Sequence, residues 1–116
     1  MSGNWSDPLN WAGDAAPVGD PANDLAFGGK GASGYIATND LLGPFLLNSL
    51  TLNSTATAIN TIDGFTALDF VFDGIDMPSV LQNGSGAFEI FSDINATSIL
   101  TFGGSGSGVV RLSGFL

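Results

Sequence analysis

Asp69, Asp73 and Asp76 put three carboxylates close together in the chain, its densest acidic grouping. A hard cation such as calcium is held by about six to eight converging oxygens, which makes this trio the candidate metal set. The competing reading gives the same residues to turns, because a short Asp side chain accepts from backbone N–H groups two residues on. No Gly-Gly-x-Gly-x-Asp repeat accompanies them, so the turn reading is preferred. Glycoside cleavage requires two carboxyl groups at a set separation, and no spacing here singles out a pair. The chain has neither cysteine nor histidine, which excludes thiol nucleophiles, histidine-based triads and zinc or copper centres. The expectation is a protein that is not an enzyme, with no catalytic residue and no cofactor.

The aromatic residues offer a different chemistry. Trp5, Trp11 and Tyr35 could stack on sugar rings and form a carbohydrate-binding platform. Alternatively, both tryptophans anchor a cap over one end of the fold. Burial separates the two readings, since cap tryptophans are covered and platform tryptophans are open. Charge narrows the partners further. Lys30 and Arg111 are the only basic residues against eleven acids, for a net charge of −9. Two cations cannot neutralise a phosphate backbone, so nucleic acid is excluded, and anionic membrane surfaces are disfavoured. The longest apolar stretch, residues 41–47, is interrupted by Gly43-Pro44 and is too short to cross a bilayer. No membrane insertion is expected.

The elements that would position these residues are short strands. Leu50-Thr51-Leu52, Leu68-Asp69-Phe70, Phe88-Glu89-Ile90 and Val110-Arg111-Leu112 each read apolar–polar–apolar, the alternation of a half-buried strand. Their first residues are 18, 20 and 22 positions apart, and recurrence of a strand at a near-fixed period indicates stacked coils. Taken literally, that period sets Thr51, Asp69, Glu89 and Arg111 in one outer ladder, above two inner columns. Gly, Asn and Asp recur between the strands, where corners need them. No stretch has the 3.6-residue period of a helix. The expected fold is all-β, a parallel β-helix (solenoid) of about four to five coils. The alternative is an antiparallel β-sandwich, in which Asp73-Gly74 would be a hairpin turn.

Residues 1–24 stand apart, holding both tryptophans and Pro8, Pro17 and Pro21, without periodicity. They are assigned to an irregular N-terminal cap, and residues 25–116 to the coils of a single domain. The opening Met1-Ser2-Gly3-Asn4 is polar, and no export signal is legible in it. The closing Ser113-Gly114-Phe115-Leu116 follows a strand directly. Leu112, Phe115 and Leu116 are therefore expected at an uncovered edge, where either the protein continues or another copy docks.

Taken in order, Asn4-Trp5-Ser6 through Asn10-Trp11, Asp24-Leu25-Ala26-Phe27-Gly28, Ser49-Leu50-Thr51-Leu52-Asn53, Ile62-Asp63-Gly64, Gln82-Asn83-Gly84 and Leu100-Thr101-Phe102-Gly103-Gly104 resemble the passenger-associated β-solenoid repeats of bacterial autotransporters. The resemblance implies a right-handed β-helix, a place outside the cell or on a bacterial cell surface, and a role in adhesion or extracellular structure. The expected function is a non-enzymatic structural or adhesive module that assembles end to end as a homo-oligomer or filament. The alternatives are a carbohydrate-binding module that uses the aromatics to hold a surface glycan and, behind it, a polysaccharide-acting enzyme.

Overall fold

In a computed structural model, residues 2–96 and 99–114 are described and form stacked coils of about three turns. Apart from one turn of 3-10 helix at Pro8–Asn10, the regular elements are strands. They are β1 (Gly3–Asn4), β2 (Asp24–Phe27), β3 (Ile36–Asn39), β4 (Phe45–Leu47), β5 (Ser49–Leu52) and β6 (Asn60–Gly64). The second half comprises β7 (Leu68–Phe70), β8 (Ser79–Gln82), β9 (Phe88–Ile90), β10 (Ile94–Ala96), β11 (Thr101–Gly103) and β12 (Val110–Leu112). They make a five-stranded sheet, β1-β3-β6-β9-β12, a four-stranded sheet, β11-β8-β5-β2, and a three-stranded sheet, β10-β7-β4. Each turn visits the four-stranded, five-stranded and three-stranded sheets in succession. Every strand pair among the described residues is parallel, as β-helix stacking requires and a sandwich forbids. Asp73-Gly74 is not a hairpin, since the next strand, β8, lies parallel beside β5.

The spacing of the apolar triplets needs correction. Leu50–Leu52 lies in the four-stranded sheet and Leu68–Phe70 in the three-stranded one, whereas Phe88–Ile90 and Val110–Leu112 share the five-stranded sheet. The steps from Leu50 to Leu68 and from Leu68 to Phe88 therefore cross two sides of the coil. Only the last step, from Phe88 to Val110, completes a turn. In the four-stranded sheet Ser49 pairs with Asp24, Ser79 with Ser49 and Thr101 with Ser79, so successive turns differ in length and the middle one is the longest. Longer turns mean fewer of them, about three rather than four to five. The outer ladder dissolves as well. Thr51 sits between Ala26 and Leu81, and Asp69 between Leu46 and Asn95. Only Arg111 beside Glu89 stands as the spacing suggested, and the Glu89 carboxylate accepts the Ser113 hydroxyl at 2.7 Å.

What the alternation does place correctly is the interior. Leu50, Leu52, Leu68, Phe70, Phe88 and Ile90 are all buried, together with Phe45, Leu47, Ile62 and Val80. Burial of side chains of this size contributes about 1.5–3 kcal/mol each, far more than any exposed pair on the outside, at about 0.2–1 kcal/mol. Buried amides join them at the corners. Asn48 Nδ2 donates to the Val71 and Asp76 carbonyls at 3.0 and 2.9 Å, tying the 71–78 loop to the stack. Asn60 Nδ2 donates to Ser54 Oγ at 2.8 Å, and Gln82 Nε2 to the Gly86 carbonyl at 3.0 Å. Asn48 and Gln82 thereby pair loop carbonyls, and Asn60 pairs a buried hydroxyl, as covered polar groups require.

The N-terminal segment closes two of the three sheets at its end. β1 pairs with β3, and Asp20 N–H donates to the Leu46 carbonyl of β4 at 3.0 Å. Ser6 fastens the segment further: its N–H and hydroxyl both donate to the Asp40 carboxylate, at 2.8 and 2.5 Å. The Ser6 hydroxyl accordingly holds the Asp40 carboxyl below the usual carboxylate range. Among the described residues no strand pairs with the outer edge of β2, which leaves the four-stranded sheet open there.

Candidate functional site

Beside that open edge lies a cleft of about 440 Å³, walled by Trp5, Trp11, Phe27 and Tyr35 with Asn10 and Lys30 among its polar lining. Its volume falls within the roughly 300–1,000 Å³ typical of binding clefts. The segment between β1 and the 3-10 turn sets the tryptophans. Trp5 N–H donates to the Thr38 carbonyl at 2.8 Å, continuing the β1–β3 ladder, and its ring drops into the core, 2% exposed. The Asp7 side chain caps the 3-10 turn by accepting from Leu9 N–H at 3.0 Å. Trp11, next in line, donates its Nε1 to the Trp5 carbonyl at 2.8 Å. Trp5 meets Trp11 edge-on at 5.7 Å between ring centroids, Phe45 edge-on at 5.3 Å and Phe27 tilted at 5.6 Å. Offset and edge-on arrangements of this kind suit the ring quadrupoles.

The three aromatic candidates, Trp5, Trp11 and Tyr35, all line this one cleft. Trp5 is packed into the core, the burial expected of a cap tryptophan, while Trp11 is half-buried. The Trp5 indole nevertheless carries an unusual feature: its Nε1 is buried and has no hydrogen-bond partner among the described residues. Phe27 and Lys30 join the cleft wall without a sequence signal: Phe27 stands in a short apolar run and Lys30 among glycines, and neither setting marks a binding surface.

Tyr35 donates its hydroxyl to the Gly28 carbonyl at 2.5 Å and packs edge-on against Phe88 at 6.4 Å. Burial pushes that hydroxyl up to about 12, against an ordinary value of about 10. Tyr35 is the single tyrosine in the chain, so an alkaline absorbance titration reads it alone. The tyrosinate band should rise with a midpoint near 12 in the folded protein and near 10 in denaturant. Because the unfolded chain ionises first, stability should fall as pH rises through that window. A folded-state midpoint at the denatured value would show Tyr35 to be solvated, contrary to the packing described.

The acidic grouping does not assemble. Asp69 is half-buried between two core residues of β7, with its Oδ1 covered and, among the described residues, unpaired, whereas Asp73 Oδ1 accepts from the N–H groups of Asp76 and Ile75 at 2.6 and 2.8 Å. These bonds, Asp76 first, hold the Asp73 carboxyl below the usual range. Among the described residues no three His, Asp or Glu side chains come together to hold a metal ion. Asp73 is a turn residue.

At the opposite end, among the described residues, β10, β11 and β12 each have a neighbour on one side only. Phe102, on β11, is 52% exposed, and Leu100, Val110 and Leu112 are half-buried against the core. Val80, Gln82, Phe102, Gly103 and Val110 border a hollow of about 320 Å³ there. Leu112 thus lies at an open edge, while Phe115 and Leu116 fall outside the described residues. No helix among the described residues is long and apolar enough to cross a membrane. Comparison with known protein families, curated proteins and solved structures finds no match to this chain.

Proposed function

We propose that this chain is a non-enzymatic structural or adhesive module of an extracellular or cell-surface assembly, and that it joins a second copy through the open end formed by β10, β11 and β12. The observation that carries this reading is the exposure of Phe102 beside the hollow at that end, with Val110 and Leu112 incompletely covered. Unpaired strand edges offer backbone donors and acceptors to a further strand, and uncovered core side chains add an apolar driving force. The outer surface supports an adhesive role. Leu42, Phe65 and Phe91 are exposed at equivalent corners of successive coils, and Phe72, Ile75 and Met77 are exposed on the 71–78 loop. Grouped apolar side chains in water mark contact surfaces. The extracellular placement rests on the resemblance to autotransporter repeats.

Sedimentation or light scattering across a concentration series tests the reading. The chain should self-associate, and Phe102→Lys should return it to a monomer while shifting the melting temperature only slightly. A species that stays monomeric at the highest concentration would reject the proposal. So would an oligomer indifferent to Phe102→Lys.

A further inference from the structure

We propose that the cleft beside β2 receives an extended segment of a separate polypeptide, added as a strand to the open edge of the four-stranded sheet. Three observations converge on this occupant. First, at this end the N-terminal segment pairs with the other two sheets, β1 with β3 and Asp20 N–H with the Leu46 carbonyl, whereas among the described residues no strand pairs with the outer edge of β2. Second, the edge presents free backbone groups to the cleft. The carbonyls of Asn23 and Phe27 accept from β5 and the residue after it (Ser49 N–H at 3.1 Å, Asn53 N–H at 2.8 Å). Since backbone groups on a parallel strand alternate in direction, those of Ala26 face away from β5, and Ala26 lines the cleft. Third, the buried Trp5 Nε1 has no partner among the described residues, and Trp5 forms part of the same wall. A buried donor left unpaired is costly, and a main-chain carbonyl of an incoming strand becomes its acceptor once the aromatic wall parts to admit the strand.

The chemistry of the segment follows from the walls. Its alternate side chains are apolar, to meet Trp11, Phe27 and Tyr35, and those between are small or hydroxylic. It carries no lysine or arginine, because Lys30 lines the cleft. This chain's own 48–53 stretch, which supplies β5, has that pattern and pairs with the opposite edge of β2 in the register Leu25 to Leu50 and Phe27 to Leu52. Recognition of this type takes its affinity from main-chain hydrogen bonds and its selectivity from the side-chain pockets.

The probe is a synthetic peptide of the 48–53 sequence, titrated into the ¹⁵N-labelled chain. Two tryptophans give two indole N–H signals, assigned with Trp11→Phe. Binding should move the Trp5 signal downfield and slow hydrogen exchange at Ala26. N-methylation of alternate amides in the peptide should weaken binding about tenfold or more. Ala26→Pro, tolerated at an edge strand, should do the same with the melting temperature little changed. Equal binding of the N-methylated peptide would overturn the proposal, as would no binding at all. Two other results would do so too: a neutral oligosaccharide such as cellohexaose, rather than the peptide, moving the Trp5 signal, or that signal moving with protein concentration alone, which would make a second copy the occupant.

Discussion

Replacing Phe70 by alanine should cost about 3–5 kcal/mol, a large share of the stability of a domain holding roughly 5–15 kcal/mol in total. Phe70 is fully buried at the centre of the stack, on a strand with neighbours on both sides, where it pairs with Leu47 of β4 and Ala96 of β10. Coil above and coil below fix the backbone around it, so the cavity has little room to collapse. Thr51→Ser is the matched control. Thr51 lies on the outer face of β5, between two buried leucines, and the change should stay within about 0.5 kcal/mol. Urea denaturation followed by circular dichroism measures both. Similar shifts for the two variants would contradict the assignment of inner and outer faces.

The second large effect is expected at a glycine. A Cβ on Gly84 would fall inside the van der Waals envelope of the Ser54 carbonyl oxygen, a backbone atom of the coil beneath. That corner is held by a ladder of backbone bonds, Gly86 N–H to Ser54 and Gly108 N–H to Gly84 at 2.7 and 3.0 Å, so neither coil can retreat without breaking it. Gly84→Ala should cost about 1–3 kcal/mol. Gly28→Ala, at a position where a Cβ meets nothing within 4 Å, should be neutral or slightly stabilising through the unfolded chain. Thermal melts of the pair test whether the corners are stacked backbone on backbone. Equal shifts would mean that they are not.

Much of the fold was legible because a period of two is a local property. The triplet Leu68-Asp69-Phe70 announces a strand with one covered face wherever it sits in the coil, and its burial follows. The side of the coil on which a triplet lies is not local. It depends on how much chain the intervening corners and loops absorb. The 71–78 loop lengthens the turn between Ser49 and Ser79 relative to those on either side of it, and so offsets the spacing of the triplets. The buried amides are illegible in the sequence for a related reason. Asn48, Asn60 and Gln82 resemble the many exposed turn residues of this chain, and only the stacked carbonyls around them show why they are covered. The cleft was half legible. Trp5 and Trp11 stood out by type and by their proline-punctuated setting, but the opening they border arises from one sheet having no cover at that end.

The coil order can be tested directly by disulfide formation, since the chain has no cysteine of its own. Thr61 and Glu89 are outward-facing partners on adjacent strands β6 and β9, within the spacing of about 4.4–6.8 Å between α-carbons that a disulfide spans. The double variant Thr61→Cys/Glu89→Cys should cross-link rapidly under mild oxidation, as read by mass spectrometry of a digest. Asp69→Cys/Glu89→Cys, neighbours only if the step between their triplets were a full turn, should stay reduced in the folded protein. Cross-linking of the second pair and not the first would contradict the three-sided stack.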